Sequence, residues 1–144
     1  MVNKGLTTEA KLKHFTESNG MCKLCDLESE DERHIVIDCE TLGNFWSHIF
    51  VALRKIDGVN FQIQDSLFVC STEQSDLVNV IIEEAKWQVW KRRCLIRYEN
   101  MWIDEAQMLG RLKTHLLLRK EVLINTKHKN NEYIEKINLF LGVF

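Results

Sequence analysis

Apolar side chains recur at helical spacing along most of this 144-residue chain, and they predict a mainly α-helical protein. The pattern predicts helices over residues 7–17, 31–38, 41–56, 74–99 and 104–126, with a last helix after the polar segment 127–131. Residues 60–69 fit either a strand or a loop packed on the core. The chain has no proline, the strongest interior helix breaker, which favours long helices.

Capping residues define two of these helix starts. Thr7 or Thr8 can cap the first helix, which would turn Leu12 and Phe15 inward. Asp104 begins a capping-box pattern, with a glutamine three residues later, at the start of the fifth helix.

The longest predicted helix, residues 74–99, carries two apolar stripes. One stripe contains Val78, Ile82, Ala85, Val89 and Ile96. The stripe nearly opposite contains Trp87, Trp90, Cys94 and Tyr98. A helix that is apolar on two sides is usually central, with neighbours on both, so we expect the three aromatic side chains to pack in the core.

Four metal-binding side chains occur within eighteen positions: Cys22-x-x-Cys25, then His34, then Cys39. Thiolate sulfur and imidazole nitrogen are the donors that Zn²⁺ binds tetrahedrally. Because four protein ligands close the coordination sphere, we expect one structural zinc ion rather than a catalytic one. The alternative is three buried thiols and an unrelated histidine. His14 is the most plausible substitute ligand.

These elements predict a small Cys-Cys-His-Cys zinc knuckle packed against a bundle of about four to five helices. Residues 1–57 would form the knuckle with its flanking helices, and residues 58–144 a helical subdomain packed on it. The other two cysteines, Cys70 and Cys94, are expected to be buried free thiols. Metal-type cysteine spacing, without a signal peptide or a membrane-spanning stretch, favours an intracellular location, nuclear or cytoplasmic.

Charge is distributed unevenly around a net charge of −2. Residues 1–84 carry seven Lys and Arg against fifteen Asp and Glu, whereas residues 85–144 carry twelve against six. The basic half could contact a polyanion, although ordinary solvated helix faces give the same composition. The loop after Cys25 is strongly acidic, which opposes phosphate at that surface.

Two segments resemble a known family. Cys22-Lys-Leu-Cys-Asp26, with Glu30 four residues before His34, then Cys39 and the aromatic pair Phe45-Trp46, resembles the zinc-binding domain that follows reverse transcriptase in LINE-type (non-LTR) retrotransposon polyproteins. The Trp-Lys-x-Arg stretch at residues 90–93 is similar to a downstream segment of those polyproteins. The chain departs from the family pattern at Asp26 and Glu40, where Gly and Pro are common.

The resemblance implies a non-catalytic domain that holds template RNA or target DNA, with a reverse transcriptase polypeptide as a further candidate partner and no membrane or small-molecule substrate. No carboxylate motif for two-metal nucleotidyl transfer is present in the sequence, so we do not expect an enzyme. His115 and His128 are isolated and are expected to be solvated helix residues. The alternative is a zinc-stabilised protein-interaction scaffold without nucleic-acid contact. The expected phosphate contacts are Lys86, Lys91, Arg92, Arg93, Arg97, Lys113, Arg119 and Lys120.

Overall fold

The computed structural model describes residues 6–57, 76–126 and 130–144. Over these residues the chain is mainly helical and contains no β-strand, as the apolar pattern predicts. The predictions for residues 60–69, Cys70 and His128 lie outside the described residues. The elements are α1 (Glu9–Leu12), a π-helical turn (His34–Asp38), a 3₁₀ turn (Glu40–Leu42), α2 (Gly43–Asp57), α3 (Asp76–Glu99), α4 (Glu105–Asn125) and α5 (Asn131–Leu141).

Helix α1 begins where the sequence predicts but is shorter than expected. The Thr8 side chain caps it by accepting a hydrogen bond from the Lys11 backbone N–H at 3.3 Å. The α-helix ends at Leu12, and the chain then turns so that the Ser18 hydroxyl reaches back to the Glu9 carboxylate. This return places Phe15 on the outside with 86% of its surface exposed, so the prediction that Phe15 faces inward is wrong.

Helix α4 begins with the capping box that the sequence predicts. The Asp104 carboxylate accepts from the Gln107 backbone N–H at 2.8 Å, and the Gln107 amide oxygen accepts from the Asp104 backbone N–H at 3.0 Å. Two backbone N–H groups that would otherwise have no partner at the start of the helix are thereby hydrogen-bonded. Helix α5 is capped by the Asn130 side chain, which accepts from Tyr133 N–H at 3.1 Å.

One apolar core joins the cysteine-rich segment to the helices. Helix α2 contacts α4 and α5, while α3 contacts α4, α5 and the π-helical turn. The core side chains include Leu24, Ile35, Leu42, Phe45, Ile49, Leu53, Ile81, Ile82, Val89, Leu112, Ile137 and Phe140. Burial of these side chains brings the metal-ligand segment onto α2 and α3.

Helix α3 buries one of its two apolar stripes more fully than the other. Val78, Ile82, Ala85 and Val89 are buried, and Ile96 is partly buried. On the other stripe, Trp90 is partly buried, but Trp87 and Tyr98 are 50% and 61% exposed. The expectation that all three aromatic side chains pack in the core is therefore met only by Trp90 among the described residues.

No helix in the described part of the chain is both long and apolar enough to span a bilayer.

Candidate metal centre

A tight loop presents the first two cysteines. The Cys22 N–H donates to the Glu28 carbonyl at 2.8 Å, and the Glu30 N–H donates to the Gly20 carbonyl at 2.9 Å, so the two ends of the loop run side by side. Within the loop, the Asp26 N–H donates to the Cys22 carbonyl at 2.8 Å. Asp26 has φ +56°, the left-handed conformation that glycine adopts most easily.

A π-helical turn presents the other two ligands. The Cys39 N–H donates to the His34 carbonyl at 2.9 Å, five residues back. In an α-helix, residues five apart point roughly 140° away from each other. The wider π turn brings His34 and Cys39 closer to one face. The Asp31 carboxylate caps the turn at the His34 N–H (2.7 Å), and the Trp46 indole N–H donates to the Val36 carbonyl at 2.7 Å.

The four predicted ligands meet in one cluster. One ligand atom from each of Cys22, Cys25, His34 and Cys39 lies within 4.8 Å of the others. The Cys22 and Cys39 sulfurs are 4.0 Å apart, and the Cys25 sulfur is 3.4 Å from His34 Nε2. A tetrahedral site with metal–ligand bonds of about 2.0–2.3 Å separates its donor atoms by roughly 3.3–3.8 Å. The cluster, called the Cys3His cluster below, can therefore hold one metal ion.

Glu28 orients the histidine of the cluster. Its carboxylate lies 3.2 Å from His34 Nδ1. Because a carboxylate only accepts hydrogen bonds, Nδ1 carries the ring proton and Nε2 presents a lone pair beside the Cys25 sulfur. This carboxylate–histidine arrangement fixes ring orientation in metal sites.

The Cys22 and Cys39 sulfurs, 4.0 Å apart, are within hydrogen-bond distance of each other. This hydrogen bond is the main cause that lowers the pKa of Cys39, to about 5, and raises the pKa of Cys22. The Thr41 hydroxyl, 3.2 Å from the Cys39 sulfur, adds to the lowering of the Cys39 pKa.

Arg93, expected at the surface, is instead completely buried in a network of charged side chains. Its guanidinium donates to the Glu30 carboxylate, at 2.7 Å from Nη2 and 3.2 Å from Nε, and lies 3.5 Å from Glu9. Arg97 also donates to Glu9, and Glu9 and Glu30 are themselves fully buried. We call Glu9, Glu30, Arg93 and Arg97 the ion network. Arg93 is unavailable to a phosphate because this network encloses it.

Arg92 and Lys86 also differ from the expectation of surface phosphate contacts. Arg92 is 3% exposed, and its Nη1 donates to the Thr41 carbonyl and hydroxyl at 3.3 and 3.4 Å. Lys86 is 7% exposed and pairs with Glu83 at 2.7 Å. Arg92 thus lies against the 3₁₀ turn, whereas Lys86 pairs within α3 itself.

The remaining five predicted contacts lie nearer the surface. Lys91 and Arg119 are exposed. Lys113 is half-buried, Lys120 donates to the Asn138 side chain at 2.6 Å, and Arg97 belongs to the ion network. His115, expected to be a solvated helix residue, is half-exposed and its Nδ1 lies 2.6 Å from the Glu84 carboxylate.

Sequence reasoning missed three residues of the site: Glu28, Thr41 and Glu9. Thr41 lies against a cluster sulfur, and Glu9 joins α1 to α3 through the ion network. The only sequence signal for Thr41 is its position two residues after Cys39. Glu9 gave no signal, because its partners are 84 and 88 residues away.

The cysteine outside the cluster that the structure describes, Cys94, is free and half-buried. This is less burial than the sequence predicts for a core thiol.

Comparisons of the chain with protein-family models, with curated proteins and with solved structures found no significant match.

Proposed function

We propose that the Cys3His cluster binds one structural zinc ion. The supporting observation is the convergence of three sulfurs and an imidazole nitrogen, with histidine orientation set by Glu28. Thiolate and imidazole donors favour zinc over the hard cations magnesium and calcium, which prefer oxygen. When bound, zinc would supply folding free energy, and the four ligands leave no open position for substrate activation.

On this proposal, residues 20–39 are a zinc knuckle packed against a helical bundle. The contacts of the π-helical turn with α2 and α3, and the Trp46 hydrogen bond to Val36, support it. The ion network adds a second link between the knuckle loop and α3.

We further propose that the domain is a non-catalytic nucleic-acid-binding domain, related to the domain that follows LINE-type reverse transcriptases. Two motifs that carry this resemblance meet in space: Glu30, before the histidine, pairs with Arg93, the last residue of the Trp-Lys-x-Arg stretch. Lys91 lies on the exposed side of α3, where Trp87 and Tyr98 are also accessible. Aromatic faces beside cations suit stacking on unpaired bases.

A protein-interaction scaffold is the second candidate, and two observations favour it. Three expected phosphate contacts are buried, and the loop around the cluster exposes Asp26, Glu28 and Asp31. Apolar side chains on α4, including Leu118 and Val122, are more than half exposed. Such side chains fit a protein partner better than a polyanion.

Elemental analysis of protein purified under reducing conditions tests the zinc proposal. We expect one zinc per chain and loss of that zinc in Cys25→Ser. Wild-type protein without bound zinc would contradict the proposal.

Binding of a generic single-stranded RNA and a generic DNA duplex, measured at two salt concentrations, separates the two candidate functions. We expect Lys91→Ala/Arg119→Ala to weaken binding several-fold and to flatten its salt dependence, since about one counterion is released per phosphate contact. The matched control is Arg54→Ala/Lys55→Ala, which removes two exposed cations from the end of α2. Absence of salt-sensitive binding by the wild type would favour the protein scaffold.

A further inference from the structure

A buried guanidinium beside the Cys3His cluster has no acidic partner of the usual kind. Arg92 is 3% exposed, and within the described ranges no carboxylate lies at salt-bridge distance from it. Its two hydrogen bonds go to neutral oxygens of Thr41, and its Nε has no hydrogen-bond partner in the described structure. A buried charge without compensation is strongly destabilising, so the counter-charge must come from elsewhere.

The nearest candidate is the cluster itself. The Thr41 hydroxyl that accepts from Arg92 is 3.2 Å from the Cys39 sulfur, so one side chain separates the guanidinium from a metal ligand. Burial lowers the pKa of Arg92, and nearby negative charges, among them Cys39, Glu105 and Asp104, oppose that effect.

With zinc bound, the proposed site would carry an excess negative charge that a nearby cation can offset. Three thiolates and a neutral imidazole around Zn²⁺ leave a net charge of −1. The Glu28 carboxylate at His34 adds a further negative charge, although Glu28 is 69% exposed and therefore well screened by water. Arg92, by contrast, is shielded from solvent on the Thr41 side, and its guanidinium lies 5.1 Å from the Trp102 ring centroid.

We propose that Arg92 is the electrostatic counter-ion of the metal centre: a positioning residue that holds Thr41 against Cys39 and neutralises the excess charge of the three bound thiolates. This inference rests on the proposed zinc site and assigns to Arg92 a role inside the protein in place of phosphate contact. Metal sites are commonly tuned by such outer residues, whose loss costs about 10–100-fold in metal affinity.

Competition with a chromophoric chelator, which gives the apparent zinc dissociation constant, tests the assignment. We expect Arg92→Met to weaken zinc binding about tenfold or more and Arg92→Lys, which keeps the charge, to bind clearly more tightly than Arg92→Met. Lys91→Met removes a positive charge from the adjacent exposed position and should bind zinc like the wild type. If Arg92→Met does not fold, Arg92→Gln replaces it as the uncharged member of the comparison.

Either of two results would overturn the inference: wild-type zinc affinity in the uncharged variant, or equal weakening in Arg92→Lys and the uncharged variant. A failure of the zinc proposal itself is distinguishable, because the wild-type chain would then bind no zinc in the same assay.

Discussion

The Cys3His cluster and the ion network both anchor the segment between Gly20 and Cys39, but they act over different distances along the chain. The cluster joins residues at most 17 positions apart, whereas the ion network joins Glu30 to Arg93 across 63 positions. The spacing of ligands that lie close together in the chain can be read from the sequence. The pairing of charges that lie far apart in the chain depends on how the helices pack, which the sequence alone does not show.

The largest difference between the Cys3His cluster and the ion network should appear when the proposed metal is removed. On the zinc proposal, chelation or Cys39→Ser removes a binding free energy on the order of 10 kcal/mol, which supports the fold of residues 20–39. We expect residues 20–39 to lose amide-hydrogen protection while α4 and α5 retain theirs, measured by hydrogen exchange.

Cys94→Ser is the matched control for that experiment, because Cys94 is a half-buried cysteine outside the cluster. Equal protection of residues 20–39 with and without chelator would show that the cluster is not needed for folding.

The ion network should give the next largest effect. Glu30→Ala leaves the Arg93 guanidinium buried without its main partner, which we expect to cost about 3–5 kcal/mol of unfolding free energy. Glu32→Ala, in the same loop, removes the more exposed pair with Lys11 and should cost less than about 1 kcal/mol. Urea denaturation at saturating zinc measures both, and a similar cost for the two variants would contradict the special role of the network.

Acid should affect both the Cys3His cluster and the ion network, through different groups. Burial alone raises the pKa of Glu9, but hydrogen bonds from Arg97 and Ser18 and the charges of Arg97 and Arg93 lower it overall. A carboxyl with a lowered folded-state pKa stabilises the protein above its unfolded pKa of about 4.3, and this stabilisation is lost as the pH falls through the folded value.

Metal release should precede that loss, because protons compete with the metal for thiolates and imidazole at higher pH. A zinc indicator dye and near-ultraviolet circular dichroism, followed together from pH 8 to pH 2, should therefore report two separated transitions. The same low-pH transition in Glu9→Gln as in the wild type would contradict a contribution of the ion network below about pH 4.3.

The smallest effect should come from the turn at Asp26, where φ is +56°. A β-branched residue tolerates this conformation poorly, so Asp26→Val should destabilise the zinc-bound protein by about 1–2 kcal/mol. Asp26→Gly, which adopts the conformation readily, should change stability by less than about 1 kcal/mol. Thermal unfolding of the two variants measures the difference, and equal melting temperatures would contradict conformational strain at this position.

The sequence predicted the long helices and the convergence of the Cys3His cluster because both depend on residue spacing. The capping box at Asp104 follows from side chains three positions apart, and the convergence of Cys22 with Cys39 from a ligand pattern that spans 17 positions. The interior positions of Arg92 and Arg93 did not follow, because a basic run on an amphipathic helix looks the same whether it meets solvent or a buried carboxylate. Phe15 was predicted wrongly because the α-helix ends at Leu12 and the chain turns back, so that the Ser18 hydroxyl reaches the Glu9 carboxylate.

The 63-residue separation between Glu30 and Arg93 also bears on the order in which the chain matures during its synthesis. The cysteine-rich segment leaves the ribosome first, and on the zinc proposal it can bind its ion while α3 is still being translated. Glu9 and Glu30, whose carboxylates are buried in the folded protein, are synthesised seconds before their arginine partners, given elongation at about 5–20 residues per second. During that interval the two carboxylates of the nascent N-terminal segment lack their arginine partners, which they gain once α3 has been synthesised.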